Sequence, residues 1–182
     1  MQDMTESNLL SAFSGESMAH MRYQIWGKEA EVEDYLNVAR LFAAISYAEE
    51  VHAINHFGEL RELDGDRLVP AKGVFGLGST EQNLQGAIDG ESYEISQMYP
   101  VFLRVAEQQG EDGAIESFHW ALSAERTHVQ LFSDAQKAVS REEDMDLGPV
   151  QVCNVCGYTI EGEAPEECPI CQRGSEVFET FA

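Results

Sequence analysis

Two short patterns recur along the chain, and both are built from metal-binding residue types. Glu49-x-x-His52 returns as Glu125-x-x-His128, and Gly15-Glu16-Ser17 returns as Gly90-Glu91-Ser92. Glu16 precedes Glu49 by 33 residues and Glu91 precedes Glu125 by 34. On a helix, residues three apart share a face, so each Glu-x-x-His aims a carboxylate and an imidazole the same way. Glu94 follows Glu91 at the same interval, whereas its counterpart in the first repeat is Ala19. The set is five carboxylates and two imidazoles, unequal between the repeats. Carboxylates at core-facing positions are strongly disfavoured unless paired or bound to a cation. Oxygen donors with two imidazoles favour iron or manganese over zinc. Two such ions sharing carboxylates can exchange electrons with a bound oxygen species, which is the chemistry of peroxide or dioxygen reduction.

The cysteines make a second cluster. All four fall in the last 30 residues, as Cys153, Cys156, Cys168 and Cys171, two Cys-x-x-Cys pairs with 11 residues between them. Four thiolates presented by two tight turns suit a tetrahedral metal site. A disulfide framework is the competing reading, but it belongs to short secreted chains.

Four long helices are needed to bring the carboxylates together. Apolar spacing predicts them over about 5–33, 34–63, 79–109 and 111–140. The core-facing stripes are Leu9, Phe13, Glu16, His20, Tyr23 and Gly27; Val38, Phe42, Ile45, Glu49, His52 and His56; Leu84, Ile88, Glu91, Ile95, Met98, Phe102 and Val105; and Phe118, Leu122, Glu125, His128, Phe132 and Ala135. Ser79 and Gln82 have capping-box spacing at the start of the third. Pro100 removes a helical hydrogen bond and predicts a kink or bulge just past Glu94. Residues 64–79, rich in Gly with Pro70, form a long connection. The result is an all-α four-helix bundle of ferritin-like layout with one long crossover, the scaffold of di-iron and di-manganese carboxylate sites. The bundle is expected over 1–140, a charged linker over 141–149, and a small four-cysteine domain over 150–182, too small to fold well without its metal.

The chain has 182 residues, 33 acidic against 11 Lys and Arg, and a formal net charge of −22. That balance, with no basic cluster, excludes nucleic acid and anionic membrane surfaces as partners. No run of 18 apolar residues is present, and the first residues lack a basic and an apolar signal region, so a cytoplasmic protein is expected.

Taken together, the residues resemble the rubrerythrin family, a ferritin-like di-iron bundle followed by a rubredoxin-like iron domain. The resemblance rests on Phe13-Ser14-Gly15-Glu16-Ser17, Glu49-Glu50-Val51-His52, Gly90-Glu91-Ser92-Tyr93-Glu94, Met98-Tyr99-Pro100 and Glu125-Arg126-Thr127-His128. In the tail it rests on Cys153-Asn154-Val155-Cys156-Gly157-Tyr158 and Cys168-Pro169-Ile170-Cys171. It implies Glu49 and Glu125 as bridging carboxylates, Glu16 as a terminal ligand of one iron, and Glu91 with His128 on the other. Glu94 and His52 occupy the two positions that exchange at one iron between oxidised and reduced states. Tyr23 and Tyr99 match family tyrosines that hydrogen-bond near the site, against the simpler reading of core packing with a satisfied hydroxyl. The implied cofactors are two carboxylate-bridged iron ions and one tetrathiolate iron, for which zinc can substitute. The implied activity is reduction of hydrogen peroxide to water as protection against oxidative stress. Electrons would come from an external donor, a rubredoxin or an NAD(P)H-dependent reductase, through the tetrathiolate centre. An acidic surface suits docking to a basic donor.

Some positions depart from that pattern. His20 and His56 lie on core-facing stripes and read as partly buried histidines bonded to neighbours, with support of the site or alternate ligation as the other reading. His119 lies off its stripe. Gln172 stands where rubredoxins usually have Gly, at a place that often needs an unusual backbone angle. His128 lies about 12 residues, roughly 18 Å, before the end of its helix. A domain hanging from that end would sit far from its own di-iron site, so a head-to-tail homodimer with two-fold symmetry is expected. Two other functions compete: a ferroxidase or iron-storage role, and a binding module whose tail is a structural zinc ribbon.

Overall fold

The computed structural model describes all 182 residues. Five helices, α1 (Asp3–Val32), α2 (Leu36–Glu59), α3 (Thr80–Tyr93), α4 (Tyr99–Gln109) and α5 (Asp112–Val139), are followed by three strands, β1 (Val150–Cys153), β2 (Thr159–Glu161) and β3 (Phe178–Phe181). α3 and α4 are one arm of the bundle, joined by a π-helical turn over Glu94–Met98. With α1, α2 and α5 this makes the four-helix bundle.

Local signals set the ends. Ser79 and Gln82 form the reciprocal capping box at the start of α3. Gly110 closes α4 in the left-handed region, at φ 70°. The crossover is pinned to α1, where the Trp26 indole N–H donates to the Gly76 carbonyl at 2.9 Å.

The π turn lies where Pro100 predicts a fault, and it has a consequence for register. It inserts one extra residue, so the face that follows is rotated. A straight helix would bury Ile95 and Val105; instead Ile95 and Val105 are half-buried while Tyr99 and Ala106 are fully buried. Tyr23 follows Glu16 by seven residues, whereas Tyr99 follows Glu91 by eight. The extra residue makes the two tyrosines equivalent.

Two apolar clusters fill the bundle. One contains Tyr23, Trp26, Phe42 and Phe132; the other contains Leu9, Tyr99 and Phe118. The carboxylate layer lies at the seam between them, with Ala12 and Ala19 on either side of Glu16.

The tail does not hang from the end of α5. Residues 141–149, expected as a charged linker, turn back and bind α2. The Asp144 carboxylate accepts the N–H groups of Asn37 and Val38 at 2.8 and 3.3 Å, capping a helix whose own N-cap residue, Tyr35, cannot do so. Asn37 and Arg40 donate to the carbonyls of Met145 and Leu147, whose side chains are buried. β1 then runs between β2 and β3 in an antiparallel sheet, pairing Val150 with Glu161 and with Phe181. Val150 and Val152 join the larger bundle cluster.

Candidate metal centre

Glu16, Glu49, Glu91, Glu125, His52 and His128 are all buried, at most 1% exposed. They fall into two overlapping clusters, each with its ligand atoms within 4.8 Å of one another. One is Glu16, Glu49, His52 and Glu125; the other is Glu49, Glu91, Glu125 and His128. Glu49 and Glu125 belong to both, which is the arrangement two ions sharing two carboxylates require. Glu94 opens the π turn and stands outside both clusters. His52, its partner in the expected exchange, is inside one.

The imidazoles are oriented by the tail. His52 Nε2 lies 3.2 Å from the Cys156 carbonyl, and His128 Nε2 lies 3.0 Å from Thr159 Oγ1. The Thr159 hydroxyl donates to the Gly157 carbonyl, so its oxygen accepts from His128. Both Nε2 atoms are thus donors, and a neutral ring then presents a bare Nδ1 lone pair to the carboxylates. His52 Nδ1 is 3.0 Å from Glu49 Oε2 and from Glu125 Oε1; His128 Nδ1 is 2.7 Å from Glu125 Oε2 and 3.1 Å from Glu49 Oε1. Lone pairs facing carboxylate oxygens at such distances need a cation or protons among them.

The electrostatics carry the same message. Burial, with the neighbouring carboxylates, pushes the carboxyl groups of Glu16, Glu91 and Glu94 well above the usual range. Burial acts the same way on Glu49 and Glu125, but the two histidines outweigh it and hold both below the usual range. Burial disfavours charged rings at His52 and His128, yet the facing glutamates lift both well above an ordinary histidine. One buried oxygen from each of Glu16, Glu49, Glu91 and Glu125 has no hydrogen-bond partner. Four such oxygens converging in a dry core fit a pair of divalent cations, since each uncompensated charge would otherwise carry a large desolvation penalty.

Both outer glutamates are held by tyrosines from the other half of the bundle. Tyr23 on α1 donates to Glu91 Oε1 at 2.5 Å, and Tyr99 on α4 donates to Glu16 Oε1. Both hydroxyls are therefore site groups as well as core groups. His20 is half-buried, 2.8 Å through Nδ1 from the Ser46 carbonyl and accepting from Gln24. It ties α1 to α2 and belongs to neither ligand cluster. His119 is exposed. His56 is fully buried rather than partly so, and hydrogen-bonds Tyr99 and Ser117. Burial and the neighbouring His52 keep it neutral, its pKa lowered to about 3. The contacts of Cys156, Thr159 and Ser117 carry no sequence signal, because each joins residues more than 30 positions apart.

The four cysteine sulfurs lie within 4.8 Å of one another. Cys153 and Cys171 Sγ are 3.6 Å apart, and Cys156 and Cys168 Sγ 3.5 Å. A tetrahedron with 2.3 Å metal–sulfur bonds has edges of about 3.8 Å, and a disulfide would need about 2.05 Å. The donor set fits a single tetrathiolate ion. The two Cys-x-x-Cys turns are alike, each closed by a 2.9 Å bond, from Gly157 N–H to Cys153 O and from Gln172 N–H to Cys168 O. Both following residues are left-handed, Gly157 at φ 79° and Gln172 at φ 60°. Gly157 has a further reason to lack a side chain, since a Cβ there would overlap His52 Nε2.

This packing removes the distance argument for a head-to-tail dimer. The four-cysteine cluster lies against the carboxylate–histidine site of its own chain, one backbone carbonyl from His52.

A cavity of about 260 Å³ opens beside Glu94, lined also by Arg22, Lys72, Gly90 and Tyr93 among others. No helix is long and apolar enough to cross a membrane.

Known proteins agree with this anatomy. The sequence model of the rubrerythrin family matches residues 7–136, and that of the rubrerythrin rubredoxin-like domain matches residues 151–179. Rubrerythrin-2 of Clostridium acetobutylicum is 51% identical over 178 residues, covering 98% of this chain and 97% of that protein. Nigerythrin of Nitratidesulfovibrio vulgaris is 33% identical over 97% of this chain and 86% of its own. The structure of fully reduced, all-ferrous nigerythrin superposes with a TM-score of 0.86 over the same shares of the two chains. Symerythrin from Cyanophora paradoxa, at 18% identity and a TM-score of 0.66 over 77% of this chain and 87% of its own, shares the fold. The chain belongs to the rubrerythrin family, as an iron-dependent oxidoreductase scaffold with a ferritin-like di-iron bundle and a C-terminal rubredoxin-like domain.

Proposed function

We propose that the protein reduces hydrogen peroxide to water, taking electrons from an external donor through the tetrathiolate iron. The observation that carries this reading is the contact between the two centres, in which the Cys156 carbonyl meets His52 Nε2. An iron–tetrathiolate centre cycles by one electron, while cleaving one O–O bond takes two. A relay held against the site can refill it in single steps. An iron store has no use for such a relay, which tells against the ferroxidase reading.

In this proposal Glu49 and Glu125 would hold both irons in common, with Glu16 and His52 serving one and Glu91 and His128 the other. When bound, the iron pair supplies the two electrons. The chain's own groups do the rest. Tyr23 and Tyr99 fix the outer carboxylates, and the tail fixes the imidazoles and excludes water from their side. Glu94 lines the cavity from which peroxide would approach, and would be the carboxylate that exchanges with His52 at one iron. Arg22 and Lys72, two of only 11 basic side chains, frame that mouth and counter the field of a strongly acidic chain. The acidic surface would receive a basic donor, a rubredoxin or an NAD(P)H-dependent reductase, in the cytoplasm.

The test is metal content together with anaerobic peroxide turnover. Iron at about three per chain and peroxide consumption matched to electrons supplied are expected. A colourless protein with zinc-bound thiolates and no turnover would sink the relay.

A further inference from the structure

His56 belongs to neither ligand cluster and yet is fully buried in the core, four residues after His52 on α2. Its Nε2 lies 2.8 Å from the Tyr99 hydroxyl and its Nδ1 lies 2.7 Å from Ser117 Oγ. The Tyr99 hydroxyl donates to Glu16 Oε1. That fixes the polarity of the whole series. Tyr99 has one proton and directs it at Glu16, so its oxygen accepts from His56 Nε2–H. A neutral ring protonated at Nε2 has a lone pair on Nδ1, so the Ser117 hydroxyl donates there. Every O–H and N–H in the series points inward.

The series also has an inside and an outside. Glu16, Tyr99 and His56 are fully buried, while Ser117 keeps 5% of its surface. Ser117 lies one turn after Gly113, and the Glu59 carboxylate folds over Gly113 where a Cβ would overlap it. The α2–α5 seam is thus the outer end.

The other half of the bundle has no counterpart. Tyr23 makes the matching bond to Glu91, but the residue at the position equivalent to His56 is Phe132, packed edge-on against Tyr23 at 5.2 Å.

We propose that Ser117, His56 and Tyr99 form a proton wire that carries solvent protons to Glu16, on one side of the site only. This rests on the peroxide reading. Peroxide, two electrons and two protons give two waters; the electrons come from the iron pair, and the protons must enter a buried site. In one passage Tyr99 gives its proton to Glu16, His56 Nε2 gives its proton to Tyr99, Ser117 gives its proton to His56 Nδ1, and water reprotonates Ser117. Once Glu16 has passed its proton to peroxide, return of the ring to its Nε2–H tautomer and rotation of the two hydroxyls restore the starting order. His56 touches neither substrate nor ion and acts through Tyr99.

Two measurements test the wire. Ring 15N shifts of the full-length protein loaded with diamagnetic zinc should show His56 neutral and protonated at Nε2. A ring protonated at Nδ1, or at both nitrogens, overturns the inward polarity. Single-turnover oxidation of the reduced iron protein by hydrogen peroxide, in H2O and in D2O, should slow at least roughly tenfold in His56→Leu, His56→Gln and Ser117→Ala, with a changed solvent isotope effect and unchanged metal content. The Gln variant is decisive, because an amide can donate to Tyr99 but cannot accept and pass on a proton. Wild-type rates in His56→Gln would reduce His56 to a support for Tyr99 and overturn the wire. Ser117→Ala removes a single oxygen and keeps the test open should His56→Leu fold poorly; an unchanged rate and isotope effect there would also overturn it. A wild type that leaves peroxide untouched would strike the peroxide reading instead, and the His56 tautomer would still judge the wire.

Discussion

The α1–α2 half of the bundle and the α3–α5 half carry one constellation, a Glu followed by Glu-x-x-His, and yet surround it differently. Each outer glutamate is gripped by a tyrosine from the opposite half, and each imidazole is held by the tail. The likeness ends there. The second half has Glu94 where the first has Ala19, and a π turn where the first runs straight. Tyr99 is backed by His56, and Tyr23 by Phe132. Symmetry serves the task common to both ions, which is to hold charge in a dry core. In the proposed mechanism the differences would provide what only one ion needs, namely a spare carboxylate beside the cavity and a polar path to the surface.

Removing a shared carboxylate should abolish the likeness altogether. Glu125→Ala is expected to lose both irons of the bundle and to cut peroxide turnover roughly a thousandfold or more, while the tetrathiolate absorption persists. Loss of both signals in metal analysis and visible spectra would show that the two centres do not load independently.

Removing a thiolate separates chemistry from supply. Cys168→Ser should keep the bundle irons and a single turnover, but lose steady-state turnover with an external reductase. Mixing this variant with Glu125→Ala sharpens the point, because each chain then lacks one centre. Delivery within one chain predicts no recovery; restored turnover would show delivery across a head-to-tail dimer.

The tyrosines test the asymmetry directly. Tyr99→Phe breaks the link from His56 to Glu16 and should slow oxidation by peroxide roughly tenfold or more, whereas Tyr23→Phe should cost only a few-fold. Equal effects in stopped-flow traces would mean that the two sides work alike.

Much of this site was legible because its parts are local. Glu-x-x-His lies on a single helix, so spacing alone finds Glu49 with His52 and Glu125 with His128. Cys-x-x-Cys is a single turn, and Pro100 marks a fault in a single arm. What spacing cannot carry is contact between distant segments. The return of residues 141–149 along α2 depends on Asp144 finding the open N–H groups of Asn37 and Val38. The linker therefore read as free, and the tail as remote. His56 was visible on its stripe, but its meaning depends on Tyr99 and Ser117, 43 and 61 residues away.

Smaller effects follow from titration and strain. In the ion-free site Glu16 and Glu91 hold protons well above the usual carboxylate range, and His52 and His128 hold theirs above the usual histidine range. Metal entry must expel those protons, so affinity should fall as pH falls, and loading should acidify a weakly buffered solution. Loading with no proton release would break that account. The two thiolate turns offer the mildest comparison. Gly157 is needed where His52 approaches, whereas Gln172 is left-handed at φ 60° and exposed. Gln172→Gly should stabilise the tail by about 1 kcal/mol, read from denaturation followed at the tetrathiolate band.

The π turn also bears on how such a gene can drift. Ser96 and Gln97, inside it, are exposed, and the Ser96 hydroxyl donates to the Ser92 carbonyl of its own arm. Point substitutions there should pass almost unnoticed. Deleting either codon is another matter. It would straighten the arm, swing every later side chain of α4 by about 100° and carry Tyr99 away from Glu16. At this place selection acts on the number of residues, while leaving their identities nearly free.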